Sequence, residues 1–558
     1  GGVSPFGGAP LAAGDLQDHP AQPKVKAMLV NRTENEAEFL VQVKPPKEGV
    51  RKPVHICCVI DVSGSMQTSA DVKNANGQTE SSGLSFLDIV KHAVRTIMAA
   101  LDENDMISLV SFTNYINVVQ SPVKMTDEAR TAADAALSAL RPLYSTDLWG
   151  GLKKGLDLVK EAQSSSAGDD GAEHAIFLLT DGQPNVDPPG GYIPALRNYL
   201  DTHKVRCSAN MFGFGNALAT DLLSSYSSMS NGSFAFIPDA GMVGTVFIHA
   251  LANLRASYGI CGTLALETGR GVALAAQNQV VEHYTPPKEE AAPSNKGLLN
   301  HAFTAMRISR LPTSVTLNIG TLGLSQTRSF LVKLAVSRNS TPSEAWLDGA
   351  VSFESADGPR KIRMQTIVSP ATQEVQDQAA LARARLEVLS ALQAAISAGS
   401  VPNRDAVLQD AKSRVTALIS KLASVEVAGE RVAQQLEDLI ADLDGQVLEA
   451  VEPKAFSSWG VNYLPSLWFA HRNEACNNFK DPGVQHYGEA EPFIQLREEA
   501  EQAFTKLDPP KPSLPTFGAA PLTHAHMASL YLNASNGCIA GDCQVALADG
   551  SRVAVADL

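Results

Sequence analysis

Between residues 24 and 43, short apolar stretches such as Phe39-Leu40-Val41 alternate loosely with polar residues, which predicts one or two strands. The spacing changes at about residue 53. From there to residue 258, apolar runs of strand length at 55–60, 106–112, 175–180 and 206–215 alternate with helical patterns. Between the first two runs, Phe86, Ile89, Val90, Ala93, Val94, Ile97, Met98 and Leu101 recur at helical spacing on one face. Strands buried on both faces and separated by amphipathic helices predict a doubly wound, Rossmann-like, mostly parallel sheet. Ligands of such sheets sit at the carboxyl ends of the strands.

Strand-like segments return at 263–266, 314–319, 328–336 and 361–367, and with the strands before residue 50 they are expected to close one β-sandwich interrupted by the α/β domain. Three helices follow between 373 and about 449, where Leu381, Ala382, Leu386, Leu389 and Leu392 form the clearest stripe; packing among the helices themselves explains it. The densest aromatic region comes next, with Trp459, Tyr463, Trp468, Phe469 and Phe479. The expected architecture is thus multidomain α/β + β + α. It comprises a flexible lead-in (1–23), the first sandwich strands (24–52), the α/β domain (53–258), the rest of the sandwich (259–371), a helical and aromatic module (372–507), a Pro-rich linker (508–526) and a short final segment (527–558). The linker, which begins Asp508-Pro509-Pro510-Lys511-Pro512, is expected to be extended and solvated.

Composition narrows the partners. With 44 % hydrophobic and 19 % charged residues the chain is ordinary for a globular protein, and it has no apolar run long enough to span a membrane. A formal charge of −14 with no cluster of Lys and Arg argues against a nucleic-acid partner. Seven cysteines cannot all pair within the chain, and Cys57 and Cys58 fall in a strand of the buried type. Reduced thiols favour a cytoplasmic location; the sequons at Asn31, Asn231, Asn339 and Asn533 keep an extracellular one open.

The chemistry concentrates at strand ends. Run 55–60 leads directly into Asp61-Val62-Ser63-Gly64-Ser65, which places a carboxylate and two hydroxyls on one tight loop. Hard oxygens in small number suit magnesium. Alone the string is weak, because Asp and Ser fill many turns and caps. Two further segments strengthen it: Leu178-Leu179-Thr180-Asp181-Gly182 ends another buried strand with an acid, and Ser145-Thr146-Asp147 supplies a hydroxyl between the two in sequence. In order and separation these three segments resemble the metal-ion-dependent adhesion site of the von Willebrand factor A family. The resemblance covers about 200 residues and implies that Ser63, Ser65 and Thr146 touch the metal directly or nearly so, with Asp61 and Asp181 acting largely through water. Mg2+ is the implied ion, with Mn2+ or Ca2+ as alternatives. The implied ligand is an Asp or Glu carboxylate of a partner protein, because neutral hydroxyls leave most of the ion's charge uncompensated. Two departures stand out: an extra acid, Asp147, and a polar stretch at 67–83 inserted after the metal loop, for which a solvated loop is the plainer expectation.

Two segments in the aromatic region, Trp459-Gly460-Val461-Asn462-Tyr463-Leu464-Pro465-Ser466-Leu467 and Cys476-Asn477-Asn478-Phe479-Lys480-Asp481-Pro482-Gly483, resemble the part of A-domain/Hint proteins of protists and fungi that precedes the Hint domain. Gly537-Cys538-Ile539-Ala540-Gly541-Asp542-Cys543 then resembles the start of a hedgehog/intein Hint domain. That resemblance implies that Cys538 attacks the carbonyl of Gly537 as a nucleophile. The Thr-x-x-His element expected downstream is missing before Leu558, and Thr523-His524-Ala525-His526 lies on the wrong side of the cysteine. The sequence thus predicts a cation-dependent protein-binding module whose precursor processes itself at Gly537-Cys538. The alternative is a metal-independent intracellular scaffold with a structural Hint remnant. No Gly-rich phosphate loop, Gly-x-Ser-x-Gly, His-Glu-x-x-His or CxxC pair is present, so a conventional enzyme is not expected.

Overall fold

A computed structural model describes residues 22–514, apart from 50–51, 71, 74–78, 81–82, 144, 165–171, 239–241, 276–312, 338–339, 356–357 and 479, together with 544–546 and 552–554. Strands β1 (Lys24–Arg32) and β2 (Glu36–Lys44) form an antiparallel pair ahead of the α/β unit. The unit opens with β3 (Val54–Asp61), and the insert after it contains a two-residue ladder, β4 (Val72–Lys73) with β5 (Thr79–Glu80). It continues through α1 (Phe86–Ala100), β6 (Met106–Phe112), β7 (Ile116–Lys124), α2 (Asp127–Ala139), α3 (Leu148–Ser164), β8 (Glu173–Thr180), α4 (Tyr192–His203), β9 (Ser208–Phe214), α5 (Thr220–Met229), β10 (Phe234–Ile237) and α6 (Val243–Arg255). The six strands run in the order β10-β9-β8-β3-β6-β7, parallel except for the antiparallel edge strand β7.

β3 explains why this sheet is covered on both sides. Ile56, Cys58 and Ile60 pack with α1 and α6, while Cys57 and Val59 pack with Leu152, Leu156 and Val159 of α3. Every β3 residue is buried, so the strand reads as a continuous apolar run. At about 25 cal/mol per Å2, burial on two faces makes β3 the anchor of the unit.

The chain then returns to mainly antiparallel sheet with β11 (Ser257–Thr268), β12 (Ala273–Leu274), β13 (Ser314–Gly323), β14 (Arg328–Ala335), β15 (Leu347–Ser355), β16 (Gly358–Arg363) and β17 (Gln365–Ile367), the last pairing parallel with β1. One sheet has the order β12-β14-β2-β1-β17 and another β13-β11-β15-β16. Phe39, Val41, Phe330 and Val332 of the first share a core with Leu264, Leu317, Val351 and Phe353 of the second.

Helices α7 (Gln373–Ile396), α8 (Arg404–Leu422) and α9 (Glu430–Asp442) match the three expected from the stripe. Short turns α10 (Leu448–Ala450) and α11 (Pro453–Ala455) lead to α12 (Val461–Asn473), and α13 (Pro482–Gln485) precedes α14 (Glu491–Lys506). Helix α14 lies on α1 and α6: Ala500 is buried in their core, and the Phe504 ring meets His92 edge-on at 5.1 Å.

Of the expected linker, residues 515–526 lie outside the described residues; in 508–514 Asp508 and 511–513 are exposed as expected, yet the segment is tied down at points. Pro510 is buried, the Ser513 amide and hydroxyl both donate to Asp88 Oδ2 (3.1 and 2.6 Å), and the Leu514 amide donates to the Gly83 carbonyl (3.0 Å). Residues 508–514 are therefore held against the start of α1, because Ser513 offers two donors to a carboxylate already fixed there. In the final segment β18 (Gln544–Ala546) pairs antiparallel with β19 (Arg552–Ala554). Gly537 and Cys538 lie outside the described residues. Among the described residues, no helix is long and apolar enough to cross a membrane.

Candidate metal centre

β3, β6 and β8 end at the same edge of the sheet, so the loops beyond them meet. Asp61, the last residue of β3, is fully buried; its Oδ1 accepts the Ser63 amide (2.8 Å) and its Oδ2 the Thr180 hydroxyl (2.5 Å). The Ser63 and Ser65 hydroxyls stand 3.1 Å apart, and the Ser65 hydroxyl donates to Asp181 Oδ1 (2.8 Å). Four of the five residues singled out in the sequence thus belong to one hydrogen-bonded cluster.

Thr146 joins it through the backbone. Its amide donates to Asn185 Oδ1 (3.0 Å) and its carbonyl accepts the Asn185 amide (3.1 Å), while the Leu143 amide donates to the Val62 carbonyl (2.6 Å). The 143–147 loop is therefore stitched to both of the others. Thr180 and Asn185 are the contributors that sequence reasoning missed. Thr180 adjoins Asp181 and was within reach of the strand-end argument; nothing in the spelling around Asn185 marks it. Asp147 faces elsewhere: its Oδ1 accepts the Gly150 amide (2.8 Å), which caps the start of α3.

Electrostatics set the character of the cluster. Burial raises the Asp61 carboxyl, partly offset by hydrogen bonds from Ser63 and Thr180. Burial, and then the neighbouring Asp61 charge, push Asp181 up to about 7. Two acids compete to stay ionised in a partly desolvated space, and a cation would relieve both. The donors are all hard oxygens, three hydroxyls and two carboxylates, a set that fits magnesium. Among the described residues there is no group of three or more His, Cys, Asp and Glu placed to hold an ion, so a site here depends on the hydroxyls.

The profile described as von Willebrand factor type A domain matches residues 56–183, the stretch that carries all three loops. The chain contains a von Willebrand factor type A domain. A second profile, VWA / Hh protein intein-like, matches residues 433–502. Among solved structures, a von Willebrand factor type A protein from Catenulispora acidiphila shares 15% identity over 76% of this chain and 90% of its own, with TM-score 0.48. The ArnB paralog VWA2 from Sulfolobus acidocaldarius shares 13% over 79% and 97%, with TM-score 0.41. The human COPII-coat protein Sec24c shares 11% over 78% and 60%, with TM-score 0.42. Comparison with curated proteins gives no match.

The region of the second profile is docked onto the edge of the A domain. β10 is an edge strand, and its Phe236 amide donates to Ser466 Oγ of α12 (3.2 Å). Asn462 accepts the Thr220 hydroxyl and donates to the Asn216 carbonyl (3.1 Å), and Asn473 donates to the Gly232 carbonyl (3.2 Å). In the second segment Asn478 Oδ1 accepts the amides of Lys480 and Asp481 (both 2.9 Å), and Asp481 accepts the Tyr463 hydroxyl (2.8 Å). Asn462, Ser466 and Asn473 thus fasten α12 to the A domain, while Asn478 and Asp481 fold the second segment and tie it to α12. Cys476 is buried with Sγ 3.6 Å from His249 Nδ1, and burial pushes the thiol up to about 12 and the imidazole down to about 3. Both are neutral, which makes this pair packing and not a nucleophile with its base.

Proposed function

We propose that the three-loop cluster holds a divalent cation, magnesium first, and that the A domain uses it to bind a carboxylate on a partner protein. The observation that carries this is the Asp61–Ser63–Ser65–Asp181 hydrogen-bonded cluster at the sheet edge, with Asp181 held at about 7. Ser63, Ser65 and Thr146 would contact the ion, and Asp61 and Asp181 would orient its water. The ion supplies a fixed positive charge for an incoming Asp or Glu. Asp61 positions the loop through the Ser63 amide and ties it to β8 through Thr180, so it fixes where the hydroxyls stand. Isothermal calorimetry with magnesium chloride tests the assignment: the parent protein is expected to bind one equivalent, and Asp61→Ala to lose that binding while keeping its circular dichroism spectrum. Equal binding by both would remove the site and favour the metal-independent scaffold.

The fold supports two finer readings. The two sheets built from strands that flank the A domain in sequence share one core, and we take them as a single β-sandwich into which the A domain is inserted. The final segment, with its short hairpin, is taken as the start of a Hint domain in a longer precursor. There Cys538 would attack the Gly537 carbonyl, the peptide becoming a thioester that water or another nucleophile resolves. A protein extended through a Hint domain with a downstream His to protonate the leaving nitrogen should release a fragment ending at Gly537 in thiol, read by intact mass, and one that stays whole would count against the processing. The body itself is proposed to bind and not to turn over a substrate. All five described cysteines are free, which fits a reducing compartment.

A further inference from the structure

Three large apolar side chains stand out to solvent among the described residues: Tyr115 at 76 %, Leu143 at 50 % and Val186 at 38 % relative exposure. They are far apart in sequence, yet all three rim the same cluster. Leu143 adjoins the metal loop, since its amide bonds the Val62 carbonyl and it bridges Ser63. Val186 follows Asn185, whose amide and side chain hold Thr146. Tyr115 ends the turn after β6, where the Thr113 carbonyl accepts the Asp147 amide next to Thr146 (2.8 Å). The chain as a whole carries a net charge of −14.

Isolated apolar residues on a surface need no explanation, but three converging on one polar cluster mark an interaction face. Interfaces place apolar and aromatic anchors around a desolvated polar centre, and Tyr is among the residues enriched there. Each ring member comes from a loop bonded into the cluster, so the ring is set at a fixed distance from its centre without an ordering step on binding. From this arrangement we infer that the A domain recognises an exposed protein segment carrying one acidic residue flanked closely by apolar side chains. The acid goes to the centre and its neighbours cover Tyr115, Leu143 and Val186. Charge complementarity selects against basic neighbours least and against further acids most, because the domain itself is acidic outside the ring. This inference rests on the metal-dependent reading above for the role of the acid; the apolar flanks rest on the ring alone.

A displayed peptide library with one fixed Asp and randomised flanks, selected on the full chain in magnesium, tests it. Apolar flanks should be enriched, and the best synthetic peptide should weaken about tenfold or more on Tyr115→Ser or Leu143→Ser. Calorimetric magnesium affinity should stay within about twofold in the same variants, which reports that the loops are intact. If Asp peptides bind in magnesium with no flank preference, or bind the ring variants as well as the parent, the inference fails and the metal-dependent function stands. If enriched peptides bind equally in EDTA, or keep their affinity when Asp becomes Asn, the metal-dependent function fails, and the acid-centred recognition inferred here fails with it.

Discussion

Gly151 shows how one absent methyl group places the site. A Cβ there would lie 2.6 Å from Phe112 Cγ, and one at Gly155 would lie 2.7 Å from Val59 Cγ2, so glycine lets α3 press against β3 and β6 just below the metal loop. Gly151→Ala is expected to cost about 1–3 kcal/mol by overpacking, read as a lower urea midpoint at unchanged m-value. Buried histidines make a separate demand. Burial, helped by His174, Arg497 and Arg385 respectively, lowers His55, His249 and His471 from 6.5 to about 3. Their stabilising contribution is full above 6.5, where the unfolded chain is also neutral, and is lost as pH falls from there towards 3. The raised carboxyls Asp61 and Asp181 act in the opposite direction, gaining stability as they protonate. Replacing one histidine separates the two: His249→Phe should flatten the fall in urea midpoint between pH 7 and 5, and a parallel fall would show that His249 titrates normally. The cluster residues were legible because strand ends and hydroxyl spacing are written in the sequence. Asn185 was not, since its role depends on two loops meeting in space.

Among the elements, α12 carries information that its spelling concealed. An edge strand exposes unpaired backbone groups, and Ser466 answers one of them by accepting the Phe236 amide of β10. The sequence predicted an aromatic module and gave no mechanism for Asn462 or Ser466, because an edge contact leaves no periodic trace. Ser466→Ala should leave that amide buried without a partner, costing about 1–3 kcal/mol, and the Phe236 amide should exchange its proton faster. Unchanged exchange at Phe236 would sink the idea. Core helices and strands were more legible: α1, β3, β6 and β8 lie within a residue or two of where apolar spacing put them. The insert after the metal loop was expected as a solvated loop, and it nevertheless pairs β4 with β5, two residues to a strand and too short for any pattern to signal.

At the scale of the whole molecule, the first strands belong with those that come more than 200 residues later. β1 and β2 are interior to their sheet, between β14 and β17. A fragment starting at Pro53 should therefore expose β14 and aggregate, and a soluble, cooperatively unfolding 53–558 protein would count against the single sandwich. The tail carries a further consequence. Ser513 is moored to Asp88 in the capping box of α1, and that box follows directly on strands of hydrogen bonds leading back to Ser65: the Phe86 amide bonds the Thr68 carbonyl (3.0 Å) and the Thr68 amide bonds the Ser65 carbonyl (2.8 Å). Leu514 and Cys538 are separated by 23 residues, a length of chain that spans at most roughly 80 Å. On the processing proposed above, hydrolysis at Gly537 would create a new terminal carboxylate tied by that length of chain to the proposed cation site, where attachment to the same molecule raises its effective concentration. Self-cutting would then not only free the Hint domain; it would furnish a resident competitor that any outside ligand must displace. A protein ending at Gly537 should bind the Asp peptide several-fold more weakly than one ending at Leu514, and amidating the Gly537 carboxylate should abolish that difference; equal affinities for the two unamidated proteins would show that the tether never reaches home.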